Sequence, residues 1–206
     1  MLPAILIAFT FHEYAHAIVA DRLGDKTPRF QGRLTLNPIA HIDPLGFILI
    51  LLTGFGWAKP VQTNPSAYKN YNTDDLKVSI AGPLANLVIG FISAILTVLF
   101  WKYSPIKGTV YDIILQILQI TGYINCMLFF LNIVPVPGFD GYHIVRDLFP
   151  KFFYNMSATF SRYQFMIFMV LILPILPGGQ SVFTYIVQVP AYWVNNIFMN
   201  VAGIFQ

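Results

Sequence analysis

Residues 9–18 read "FTFHEYAHAI". Three ionisable side chains, His12, Glu13 and His16, stand in the middle of an apolar run, and Glu13 is the only glutamate in the chain. The fold turns on what surrounds that run, protein core or lipid. Of the 206 residues, 56% are hydrophobic and 10% charged, whereas soluble domains carry about 25% charged residues. The mean hydropathy is +0.64. A core of this size cannot absorb so much apolar surface, so lipid is the expected solvent for much of it. The 19 Phe, 11 Tyr and 3 Trp suit a chain with aromatic side chains at the membrane interfaces.

Other classes fall away on composition. The pI is near 9.0, but the Lys and Arg residues are thinly spread, with no basic run or basic-aromatic stripe for nucleic acid. A single cysteine, Cys126, excludes an intrachain disulfide and a Cys-rich metal site, and it reads as a packing residue. Residues 1–11 are apolar, with no cationic stretch before them and no small-residue cleavage site, so the first segment is expected to stay as a membrane helix.

A helical span needs about 20 apolar residues. The expected spans are residues 3–20, 76–101 and 111–134, followed by 160–176 and 181–205, with Pro174 and Pro177 between the last two. Residues 45–57, "LGFILILLTGFGW", are too short to cross and carry Gly54 and Gly56, which favour a bend or close backbone approach. They are expected to be re-entrant and covered by protein, because bare backbone cannot face lipid. The fold class is therefore an all-α polytopic membrane protein, about five transmembrane helices plus a re-entrant β-hairpin or loop. One membrane-embedded domain is expected over 1–206, with a catalytic core to about residue 150 and C-terminal helices over about 160–205. Residues 21–78 carry Arg22, Lys26, Arg29, Arg33, Lys59, Lys69 and Lys77, and residues 135–162 carry Arg146, Lys151 and Arg162. Only Lys102 and Lys107 lie between spans two and three. That bias puts the first two regions in the cytoplasm and the N-terminus outside.

Residues four apart on a helix share a face, so His12 and His16 can both aim imidazole nitrogens at one Zn²⁺. Two His and one carboxylate with an open fourth position make a catalytic zinc site. Glu13 lies beside that face, placed to take a proton from water activated by the metal. With one Glu and four His in the chain, this spacing arises by chance roughly once in a few thousand such sequences. Ionisable groups inside a membrane are also costly and commonly functional.

The third ligand must come from another segment. Asp74 and Asp75 read as a solvated N-cap of the second span. Asp112 lies near the far end of the third. Asp140 follows the third span in "FLNIVPVPGFDGYH", where prolines and glycines break the helix at membrane level and irregular backbone implies a cavity. Asp140 is the expected ligand, with Asp43 the fallback. His143 could compete, and His41 with Asp43 could line the cavity; both histidines read first as structural. Asn86, in "GPLAN", is expected to pack or hydrogen-bond between helices.

These motifs resemble the site-2 protease family of intramembrane zinc metalloproteases, peptidase family M50. The resemblance rests on "HEYAH" and "NIVPVPGFDG", with "GRLTLNPIAHIDPLG", "GWAKPVQTNP" and "AGPLANL" in matching order. It covers most of residues 8–150 and is nearest to the compact prokaryotic branch without a PDZ domain. It implies one zinc ion per chain on His12, His16 and Asp140, with Glu13 as general base. It also implies that Asn132 donates to the oxyanion. A helix cap or a bond to backbone freed by Pro135 and Pro137 is the plainer reading of Asn132. The family's re-entrant sheet corresponds to residues 30–65, so Gly54, Gly56, Trp57 and Pro60 would lie on an edge strand that grips an unwound substrate. The alternative is a packing hairpin.

The resemblance further implies substrates that are transmembrane-helix proteins, such as an anti-sigma factor or a signal-peptide remnant. The expected location is a prokaryotic cell membrane, with the active site towards the cytoplasm. Two other functions share some of these residues: a metal transporter, and an inactive protein that binds membrane helices. Transport does not need Glu13 in that register.

Overall fold

The computed structural model describes residues 1–53 and 56–204. It is helical: α1 Leu2–Leu23, α2 Thr27–Phe30, α3 Pro44–Thr53, α4 Tyr71–Tyr103, α5 Thr109–Ile133, α6 Asp140–Leu148, α7 Pro150–Ile172 and α8 Val189–Ile204. Among the described residues three helices, α1, α4 and α5, are long and apolar enough to cross a membrane. They match the first three expected spans. α4 packs against both α1 and α5, which also touch each other, and α8 rests on α4 and α5.

Of the last two expected spans, the first starts earlier than expected and the second is helical over nearly its expected length. α7 starts at Pro150, ten residues before the expected start, and so takes in Lys151. α8 itself has 16 residues, and with the helical residues 182–188 before it the stretch reaches from 182 to 204, close to the expected 181–205. A π-helical stretch, Thr184–Gln188, precedes α8. Pro190 accounts for that break: it has no N–H for the Ile186 carbonyl, and the ladder shifts register before it.

The ends of α1 follow from local chemistry. Pro3 sits in its first turn, where a missing N–H costs nothing, and Gly24 closes it in the left-handed region at φ 115°. Beyond the cap, Asp25 is fully buried; its oxygens accept from the N–H groups of Thr27 (2.8 Å) and Asn64 (2.7 Å). Asp25 thereby ties the end of α1 to the segment that leads into α4.

No β-sheet forms among the described residues, which corrects the expected hairpin over 30–65. In this region an antiparallel bridge joins Ile42 to Ala58, and the Lys59 N–H donates to the His41 carbonyl at 2.9 Å. Between them, Pro44–Thr53 form the helix α3. In the segment after the bridge, Pro60 removes one donor and Arg33 takes up carbonyls a partner strand would use. Arg33 is buried, and its guanidinium donates to the carbonyls of Ala40, Lys59 (3.2 Å) and Pro60 (3.1 Å).

Asp74 and Asp75 are buried rather than solvated. Asn70 is the N-cap of α4; Asp74 accepts from its N–H at 3.0 Å and pairs with Lys77 at 2.7 Å. Asp75 faces inward and pairs with Arg146 of α6.

Candidate metal centre

His12 and His16 sit one turn apart on α1, and both are buried. Their ring orientations are set from α4. His12 Nδ1 lies 2.6 Å from Asn86 Oδ1, and His16 Nδ1 lies 2.7 Å from the Val78 carbonyl. A carbonyl only accepts, so His16 Nδ1 carries its proton. The same logic fixes His12 through a chain of amides. Asn125 Nδ2 donates to the Thr121 carbonyl (2.8 Å), which leaves Asn125 Oδ1 to accept from Asn86 Nδ2 (2.9 Å). Asn86 Nδ2 also donates to the Ala8 carbonyl (3.1 Å), so its Oδ1 must accept from His12 Nδ1. Asn86 and Asn125 are wholly buried, and each amide has its partners.

Both tautomers therefore leave the Nε2 lone pairs free, and these face one another at 3.1 Å. Asp140 Oδ2 completes the triangle at 3.2 Å from His12 Nε2 and 3.4 Å from His16 Nε2. That oxygen is buried and has no hydrogen-bond partner. Three acceptors in mutual contact repel one another unless a cation lies between them. A proton satisfies one pair, whereas a metal ion satisfies all three. Ligands of a tetrahedral ion bound at about 2.0–2.1 Å stand about 3.3 Å apart, which the three observed separations bracket. Among the described residues, this is the one group of His, Cys, Asp and Glu arranged to hold a metal. Nδ1 hydrogen bonds that orient both imidazoles are the usual second layer of such a site.

α4 leaves room for the pair only because residue 82 is glycine. A Cβ there would collide with His16 Nε2 and come within 2.7 Å of His12 Cε1.

Glu13 is buried beside the cluster, and its Oε2 accepts from the Val61 N–H at 2.8 Å. This leaves Oε1 as the second acceptor of the carboxylate. A cavity of about 680 Å³ opens onto the cluster, lined among others by Glu13, Gly56, Trp57, Pro60, Asn132 and Asp140. Asn132 Nδ2 donates to the Leu128 carbonyl at 3.0 Å, a backbone bond within its own helix. Gly56 has a packing reason as well as a place on the wall: a Cβ there would collide with the Gly46 carbonyl and press on Ile50 at 2.6 Å. Gly54 lies outside the described residues.

The rival ligands are otherwise engaged. Asp43 Oδ1 accepts from the Gly46 N–H at 2.8 Å and caps α3. His41 is fully buried, with Nε2 bonded to the Thr35 carbonyl at 2.8 Å. His143 lines the cavity, but its Nδ1 is 3.0 Å from Arg146 Nη1. Burial and the Arg146 guanidinium push His143 below its ordinary pKa, so the ring is neutral near pH 7 and accepts at Nδ1. Sequence reasoning missed Gly82, the part of Asn86 in fixing His12, and the Asp75–Arg146 pair. Only "GPLAN" gave any signal for them.

Comparison with known proteins finds relatives named as zinc metalloproteases. The chain is 42% identical over 172 residues to a Bacillus subtilis protein named "Putative zinc metalloprotease YwhC", covering 83% of this chain and 78% of that one. Rip2 of Mycolicibacterium smegmatis, named in the same terms, is 32% identical over 82% of this chain and 64% of its own length. MJ0611 of Methanocaldococcus jannaschii, again so named, is 30% identical over 70% of this chain and 68% of its own. No solved structure matches the chain. The sequence model of peptidase family M50 matches residues 1–175, beyond the 8–150 spanned by the sequence motifs and past the end of α7. With three apolar helices of spanning length and most of its length matched, the chain is an integral membrane protein that belongs to peptidase family M50.

Proposed function

We propose that the chain is a zinc-dependent endopeptidase that hydrolyses peptide bonds within transmembrane segments of other proteins. The observation that carries this reading is the meeting of His12 Nε2, His16 Nε2 and Asp140 Oδ2 at 3.1–3.4 Å, with Glu13 beside them on a cavity wall. Those three atoms would hold the ion. When bound, zinc supplies a Lewis acid that polarises a carbonyl and lowers the pKa of water to about 7.

The chain's own residues do the rest. Glu13 accepts a proton from the attacking water at Oε1 and returns it to the leaving amine, while the Val61 N–H holds Oε2 in place. Asn132 Nδ2 exchanges its bond to the Leu128 carbonyl for one to the oxyanion of the tetrahedral intermediate. Phe9, Leu128 and Leu131 give the cavity an apolar wall suited to substrate side chains from a membrane helix. Gly56, Trp57 and Pro60 line the same cavity, and an unwound substrate lies along them. The partners of Lys59 and Val61 within the chain limit how much of that segment is free to pair. A re-entrant path for the run over 45–57 is supported by Ile42 and Ala58, which flank it and stand side by side. The Lys and Arg bias then puts the N-terminus outside and the cluster towards the cytoplasm.

A transporter reading needs a second station for the ion, and the described residues hold a single metal-ligating group. The test is cleavage of a single-pass substrate, labelled on both sides of its span and co-reconstituted in liposomes. Chelation with 1,10-phenanthroline is expected to reduce cleavage at least about 100-fold, and zinc to restore it. Cleavage indifferent to the chelator contradicts the reading.

A further inference from the structure

Asp140 comes to the cluster by a different route from the two histidines. His12 and His16 ride on α1 and are locked by Asn86 and Val78 of α4. Asp140 is the first residue of α6, a nine-residue helix reached through "VPVPGF", residues 134–139. A short helix on such a connection does not by itself fix the rotation that aims its first side chain. α6 packs on α4, α5 and α7, and Gly141 presses its start against the Ile133 carbonyl; towards its other end a charged bridge ties it to α4. The Arg146 guanidinium spans two buried carboxylates: Nη2 pairs with Asp75 Oδ2 of α4, and Nε donates to Asp147 Oδ1 at 2.7 Å. The Asp75 and Asp147 side chains are 7% and 0% exposed, so neither is satisfied by solvent.

Asp75 occupies a telling place on α4. The series Asp75, Val78, Gly82 and Asn86 steps by three, four and four residues, which is one face of a helix. Asn86 sets His12, Val78 sets His16, and Gly82 gives both rings room. Asp75, one turn before Val78, takes Arg146. A single stripe of α4 thus touches the supports of all three candidate ligands.

We propose that Arg146 is a positioning residue: by bridging α6 to Asp75 it sets the rotation of α6 on α4 and so delivers Asp140 Oδ2 to the two histidine nitrogens. The inference rests on the zinc site of the proposed function. A planar fork serves two carboxylates at once, and a lysine ammonium serves them less well.

The test is a double-mutant cycle on zinc affinity, measured on the purified full chain in detergent by competition with a chromophoric chelator. Arg146→Gln is expected to weaken zinc about 10–100-fold, with Arg146→Lys between it and wild type. In an Asp140→Ala background the same change is expected to cost less than about threefold, because the ligand it positions is gone. In the Co²⁺-loaded protein, Arg146→Gln is expected to shift the visible d–d bands towards those of Asp140→Ala. An equal loss in both backgrounds makes Arg146 a merely structural residue and overturns the proposal, as does no loss in either. Should Arg146→Gln lose its helical circular dichroism, Arg146→Lys carries the same cycle. If Asp140→Ala binds zinc as wild type does, the zinc site itself has failed, and this inference fails with it.

Discussion

Glu13→Gln protein is expected to keep its full complement of zinc and to cleave about 10²–10⁴-fold more slowly than wild type, the usual worth of a general base. Glutamine has the size of glutamate, and its amide oxygen can still accept from the Val61 N–H. The substitution therefore removes the proton acceptor and little else. Zinc content by elemental analysis and cleavage in liposomes separate the possible outcomes. Cleavage within tenfold of wild type would remove Glu13 from the chemistry. Metal flux that persists in a protein that never cleaves would favour transport, and unchanged binding of membrane helices with neither activity would favour an inactive binder.

Gly82→Ala is expected to weaken zinc binding by at least about 100-fold while leaving the fold intact. A methyl group at this position occupies the space of His16 Nε2 and crowds His12 Cε1. Neither ring can swing aside without breaking its Nδ1 bond to Val78 or Asn86. Alanine favours a helix interior over glycine by about 1 kcal/mol, so α4 itself should lose no stability. Isothermal titration with zinc, beside a thermal melt of the metal-free protein, checks both halves. Wild-type affinity in the alanine variant would mean that the helices are not packed as described.

The parts of the molecule that the sequence made legible are those set by local rules. The register of His12, Glu13 and His16 depends on helical spacing alone, and the spans α1, α4 and α5 on the length of apolar runs. Asp140 was readable because prolines and glycines mark a break after α5. What escaped was tertiary. Nothing in "GPLAN" says that Asn86 will lock the tautomer of His12, and a glycine in a membrane helix does not announce what it makes room for. Asp75 looked like a solvated helix start because its partner, Arg146, is 71 residues away along the chain. The start of α7 was misplaced because the helix takes in Lys151 and the residues up to 159, and Pro190 imposes a π-helical register shift before α8 that hydropathy does not register. The expected edge strand in "GWAKPVQTNP" met Arg33, Glu13 and Asp25, whose side chains take up its backbone groups. A hydrophobic pattern cannot foresee that competition.

The central claim is that three side chains, two from one turn of α1 and one from the start of α6, share a single metal ion. Metal content and zinc K-edge absorption on purified wild type and Asp140→Ala test it most directly. The account predicts about one zinc per wild-type chain, with two imidazoles and one carboxylate oxygen at about 2.0–2.2 Å, and a clear loss of zinc in the variant. Full zinc occupancy with an unaltered spectrum in Asp140→Ala, or a wild-type protein that binds none, contradicts it.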